Sequence, residues 1–157
     1  MMNTYTIFKK SVKQITHYYM LLVEETKSQR LVGSTNEWVL DNYYMISEQE
    51  KVLKVELKGV EKGRWRVDGK RREMLWNLLE GFLRKCHYQV DKTLLFRYLT
   101  QVQQRQKDYL CYQEVTALLP LIKTVLISEL KIFIIIRFCW AALFRCSAST
   151  CVLSVGE

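Results

Sequence analysis

Pro120 is the only proline in 157 residues, and glycines number just six. Proline withholds an amide donor and glycine raises the entropy cost of ordering, so a chain this poor in both can run as long helices. The same scarcity excludes sandwiches and barrels, which need turn residues every few positions, and phosphate cradles built on glycine-rich loops. At 49% apolar and 25% charged, the chain can also bury a core as a single domain.

Apolar spacing carries the helical reading further. Phe8, Val12, Ile15, Tyr19 and Leu22 recur at steps of three and four, predicting a helix over residues 7–27. Ser34 followed by Glu37 reads as a capping box opening a second helix over 35–57, with Val39, Tyr43, Ile46, Leu53 and Leu57 inward. That start also places Trp38 inward. Gly59, Gly63 and Gly69 punctuate a basic connector in which RWRV is a candidate extended stretch. A third helix over 71–87 carries Leu75, Leu78, Leu79, Phe82 and Leu83. Asp91 caps a fourth over 92–106, with Leu95, Tyr98, Leu99 and Val102 inward. A fifth over 112–130 contains Pro120, where a kink or restart is expected.

The tail reads differently. IFIIIRFCWAALFRCSASTCVLSV is strongly apolar, yet Arg137 and Arg145 interrupt it. A central arginine costs about 2.5–3.5 kcal/mol on insertion scales, which argues against a clean membrane span. The expected architecture is therefore all-α, with five or six helices forming a domain over residues 7–131. Residues 132–157 form an apolar tail, membrane-associated or foreign to the fold.

Charge is concentrated. Lys and Arg total 24 against 16 Asp and Glu, and residues 61–110 hold twelve basic against six acidic groups. The densest cluster is Lys62, Arg64, Arg66, Lys70, Arg71 and Arg72, a candidate patch for phosphates or anionic headgroups and equally a solvated loop. Five cysteines show no paired spacing suited to zinc, and the two histidines lie far apart, so no metal or cofactor is expected. The N-terminus lacks a long apolar core, so a secretory leader is not expected and the thiols read as reduced. The chain has no nucleophile elbow, zinc-helix motif or phosphate loop, and its neighbouring glutamates diverge on a helix. No catalytic residue is expected.

The most patterned stretch is EWVLDNYYMISEQ, Glu37 to Gln49, where Trp38, Asp41, Asn42, Tyr43, Glu48 and Gln49 mix aromatic and polar groups. Asp41 and Asn42 are poor helix formers, which suggests that partners use their side chains, and the pattern fits an amphipathic core helix with a polar rim equally well. This segment resembles the E-W-hydrophobic-L-D-N-aromatic-x-x-I-x-E-Q motif near the N-terminus of the cyclic β-1,2-glucan synthases, very large membrane-embedded bacterial glycosyltransferases. TLLFRYLTQVQQ followed by YQEVTALLPLIKTVLISEL is similar to a second pattern of that family, with Glu114, Pro120 and Glu129 at matching positions. Between them, where the family has L-P-R-V-Y, this chain has KGRWRVDGKRREMLW. The resemblance covers about residues 10 to 132.

It implies a non-catalytic N-terminal helical piece of a carbohydrate glycosyltransferase, whose donor-binding and phosphorolytic regions would lie beyond residue 157. The implied partner is the remainder of that larger chain, through the six residues named from Trp38 to Gln49. The implied place is the cytoplasmic side of the inner membrane, or the cytoplasm. The alternative is a small basic helical protein that binds nucleic acid or an anionic membrane through residues 62–72. Of these two the membrane is the expected partner, and nucleic acid is not.

Overall fold

A computed structural model describes residues 3–28 and 33–151, with side chains through Ile134. Five helices follow one another: α1 (Thr4–Lys27), α2 (Ser34–Lys62), α3 (Gly69–Lys85), α4 (Lys92–Gln106) and α5 (Tyr112–Cys151). Among the described residues there is no strand, so the fold is all-α as expected.

Helix α1 begins where Asn3 accepts a hydrogen bond from the Thr6 amide at 2.9 Å. Phe8, Val12, Ile15 and Leu22 are buried as the spacing predicts, but Tyr18 rather than Tyr19 completes the buried stripe. Tyr19 instead stacks on Tyr43, with ring centroids 4.0 Å apart. Helix α2 runs antiparallel to α1. Tyr18 donates to Asn36 at 2.6 Å, the Thr16 and Tyr43 hydroxyls meet at 2.8 Å, and the Tyr5 amide donates to Glu61 at 3.0 Å.

The expected capping box does not form. Gly33 occupies the cap position without a side-chain bond, and Ser34 already lies inside the first turn. Helix α2 also runs five residues past Leu57, to Lys62. Its C-cap is Gly63, where only glycine fits, since a Cβ there would stand 2.8 Å from the Gly59 Cα. The connector then folds back on the helix end, with the Val67 amide donating to the Val60 carbonyl at 3.0 Å, and buries Val67.

Asp68 caps α3 by accepting from the Lys70 amide at 2.9 Å. The helix closes two residues earlier than expected. His87 and Tyr88 both adopt positive φ, 52° and 62°, and the Tyr88 amide reaches the Leu83 carbonyl at 2.8 Å. With the His87 amide on the Arg84 carbonyl, this is a Schellman closure with histidine where glycine is usual. The left-handed region costs an L-residue about 1–2 kcal/mol. His87→Gly should therefore raise stability by about 0.5–1 kcal/mol, read as a higher urea midpoint at unchanged slope.

Helix α4 has the expected bounds, because Asp91 caps it by accepting from the Leu94 amide at 2.9 Å. Of its four expected inward residues only Leu99 is fully buried. Tyr98 lies 5.4 Å from Phe82, and the helix sits on the outside of α3.

Helix α5 is the spine. At 1.5 Å per residue its 40 residues reach about 60 Å. Pro120 neither ends nor restarts it, and Thr124 donates to the Pro120 carbonyl at 2.7 Å within the continuing helix. It packs on α1, α2 and α3 and joins two apolar clusters. One cluster gathers Val67, Leu79, Phe82, Leu99, Leu121 and Val125; the other gathers Phe8, Ile15, Leu22, Leu53, Ile127 and Ile134. The expected division at 131/132 is not a break in the backbone, and Ile134 is only 2% exposed in the second cluster. Ile134 is core. Side chains from residue 135 onward, including Arg137, Arg145 and three of the cysteines, lie outside the described residues.

Candidate interaction surfaces

The six residues singled out between Trp38 and Gln49 do not share one environment. Rotation of α2 is set by Val39, Ile46, Leu53 and Leu57, which face the core. Trp38, one residue and about 100° from Val39, therefore turns outward and is 46% exposed. The expectation that it packs inward is corrected. Asp41, Glu48 and Gln49 are exposed as well. Tyr43 is half-buried and committed to Tyr19 and Thr16, while the Asn42 side-chain Nδ2 donates to the Trp38 carbonyl at 2.8 Å. Met45 and Val52 continue the exposed face beyond Trp38 at helical spacing.

Trp38 also borders an apolar groove of about 560 Å³, with Tyr88, Leu126, Glu129, Leu130 and Phe133 on its walls. Glu129 accepts from the Tyr88 hydroxyl at 3.2 Å and stands 3.7 Å from Arg84. Burial first, and then the Glu129 charge, push the Tyr88 phenol above its ordinary value.

The basic cluster divides in two. Arg71 is half-buried and grips Glu114 and Asp108 from across the fold. Its Nη2 also donates to Glu114 Oε2 at 3.2 Å, and that oxygen accepts from the Cys111 amide at 2.8 Å. The Arg71 bond holds the Glu114 carboxyl below its usual range despite burial, and the Arg71 guanidinium is correspondingly raised. Arg72 is 5% exposed and lies 3.3 Å from Glu61. The contact is an ion pair by distance but is not aligned as a hydrogen bond, since Arg72 Nε and Nη1 find no acceptor. Both arginines therefore hold the fold together and leave the patch. Lys62, Arg64, Arg66 and Lys70 remain exposed and make no ion pair among the described residues.

The Arg71 link also makes a surface that spacing could not show. It pins the start of α5 beside the α2–α3 connector, so that Arg64, Trp65, Tyr112 and Gln113 line one cleft of about 250 Å³. Neither Trp65 nor Tyr112 carries a local signal that would have joined them, since they are separated by two helices.

Among the described residues no group of three His, Cys, Asp or Glu is placed to hold a metal ion, and no helix is long and apolar enough to cross a membrane. The free thiols of Cys86 and Cys111 are half-buried and exposed respectively. Comparison with protein-family models, with curated proteins and with solved structures finds no match to this chain.

Proposed function

We propose that this domain is a non-catalytic docking module whose outer α2 face binds another polypeptide. The carrying observation is that Trp38 is exposed beside the apolar groove while its neighbour Val39 fills the core. Large aromatics anchor interfaces when they stand at the edge of a pocket, and Asp41, Glu48 and Gln49 supply the polar rim. The resemblance of EWVLDNYYMISEQ gives the partner: the remainder of a cyclic β-1,2-glucan synthase-like glycosyltransferase, met at the cytoplasmic side of the inner membrane. Chemistry on a sugar nucleotide belongs to that partner.

The test mixes the purified chain with a cyclic β-1,2-glucan synthase polypeptide lacking its own N-terminal helical region. Co-elution is expected, and it should be lost in Trp38→Ala combined with Glu48→Ala. Both side chains face solvent, so the double variant should lose less than about 1 kcal/mol of stability. Co-elution that ignores the double variant, or turnover of a nucleotide sugar by the isolated chain, would overturn the reading.

A further inference from the structure

Four cations in and beside the connector, Lys62, Arg64, Arg66 and Lys70, make no ion pair among the described residues, while Arg71 and Arg72 are spent inside the fold. Of the nearest carboxylates, Glu61 faces Arg72 and the Tyr5 amide, and Asp68 is turned chiefly to backbone amides at the start of α3, which together with the Lys70 charge hold it below its ordinary value. Charge of this kind is usually spread over a flexible loop, but here it is mounted. Gly63 donates to the Gly59 carbonyl at 3.0 Å, Arg66 donates to the Gly63 carbonyl at 3.1 Å, and Val67 anchors the far end in the core. The Trp65 ring lies over Gly59, where a Cβ would come within 3.5 Å of it.

Across the cleft stands the first turn of α5, fixed by the bond from Arg71 to Glu114. Tyr112 is 74% exposed there and Trp65 is 39% exposed, so both rings border the opening while Arg64 and Gln113 complete its walls. Fixed cations around aromatic walls suit a ligand that carries both phosphates and planar rings. A volume of about 250 Å³ falls below that of drug-sized pockets, and fits one ring at a time. A cleft walled by two rings favours a ligand that offers planar rings of its own over a lipid headgroup, which the cations could bind by charge alone, and a duplex keeps its rings paired and stacked.

We propose that this cleft and its rim bind single-stranded nucleic acid, with one base held between Trp65 and Tyr112 and the backbone phosphates running over Lys62, Arg64, Arg66 and Lys70. Base stacking supplies a sequence-tolerant grip, and the cations supply the salt-sensitive part. The site lies about 30 Å along α2 from Trp38, at the Gly59 end of the helix, so it neither needs nor contradicts a docking role for Trp38.

Fluorescence anisotropy of the full chain with a labelled short oligothymidylate tests this. Four phosphate contacts on a single strand predict that log K falls against log salt with a slope of about −3. Trp65→Ala should weaken binding about tenfold at fixed salt and leave that slope unchanged. Trp65→Phe, which keeps a ring, should restore most of the loss. Arg64→Ala should lower the slope by about 0.7. No saturable binding at low salt overturns the proposal. So does equal affinity for the matching duplex, or binding to phosphatidylserine vesicles that shows the same dependence on Trp65 as the oligomer.

Discussion

Glu114→Ala should destabilise this protein by about 3 kcal/mol, near the lower end of the 3–5 kcal/mol typical for removing one partner of a buried ion pair. The lower end is expected because Arg71 keeps partial access to water and so recovers some hydration, whereas Glu114 is buried. The loss has two sources. Arg71 loses one of its two carboxylate partners and keeps Asp108 and the weak Met74 sulfur contact, and the Cys111 amide at the start of α5 loses its acceptor. The effect carries a pH signature. A carboxyl whose folded value is depressed stabilises fully above its ordinary value near 4.5, and this stability is lost as pH falls through the lower folded value. The gap in urea midpoint between wild type and variant should thus be wide at neutral pH and close in acid. An equal gap at both ends would mean that the carboxylate charge contributes nothing.

Ile134→Ala should cost about 2–4 kcal/mol, within the range for shortening a large aliphatic side chain in a packed core. Ile134 lies in the cluster that gathers Phe8, Val12, Ile15 and Leu53, and it is sealed from water. A chain ended at residue 132 should be destabilised at least as much and should lose α1 packing, visible as weaker helical circular dichroism at moderate urea. This runs against the reading of the segment from residue 132 as a tail foreign to the fold, since Ile134 is part of the core. A loss under about 0.5 kcal/mol for Ile134→Ala would return the domain boundary to residue 131.

How much of the fold was legible varies with how local its cause is. The bounds of α4 were read correctly because Asp91 caps its own first turn, three residues away. Leu75, Leu79, Phe82 and Leu83 were readable as core because one face of a helix repeats on its own period. The capping box failed by a single residue. Ser34 and Glu37 have the right spacing, but Gly33 took the cap while Asn36 was held by Tyr18 from α1. Leu95 and Val102 were assigned inward from the same periodicity that worked elsewhere. They are only half-buried because α4 has the rest of the bundle on one side of it alone.

The sequence by itself determined that the described chain is helical, where most of its helices begin, and most of the inward stripes of α1, α2 and α3. Those properties follow from proline and glycine scarcity, local caps and a period of 3.6 residues, all of which act within a few turns of chain. Only the tertiary structure decided which charged and aromatic residues remain for a partner. Arg71 and Arg72 look the same as Arg64 and Arg66 along the chain, yet the first two meet Glu114 and Glu61 while the others make no ion pair among the described residues. Trp38 and Trp65 were likewise assigned by how α2 is rotated and by where α5 begins. The physical reason is that the worth of a charge or ring depends on neighbours brought from tens of residues away. That proximity is a property of packing and not of spacing.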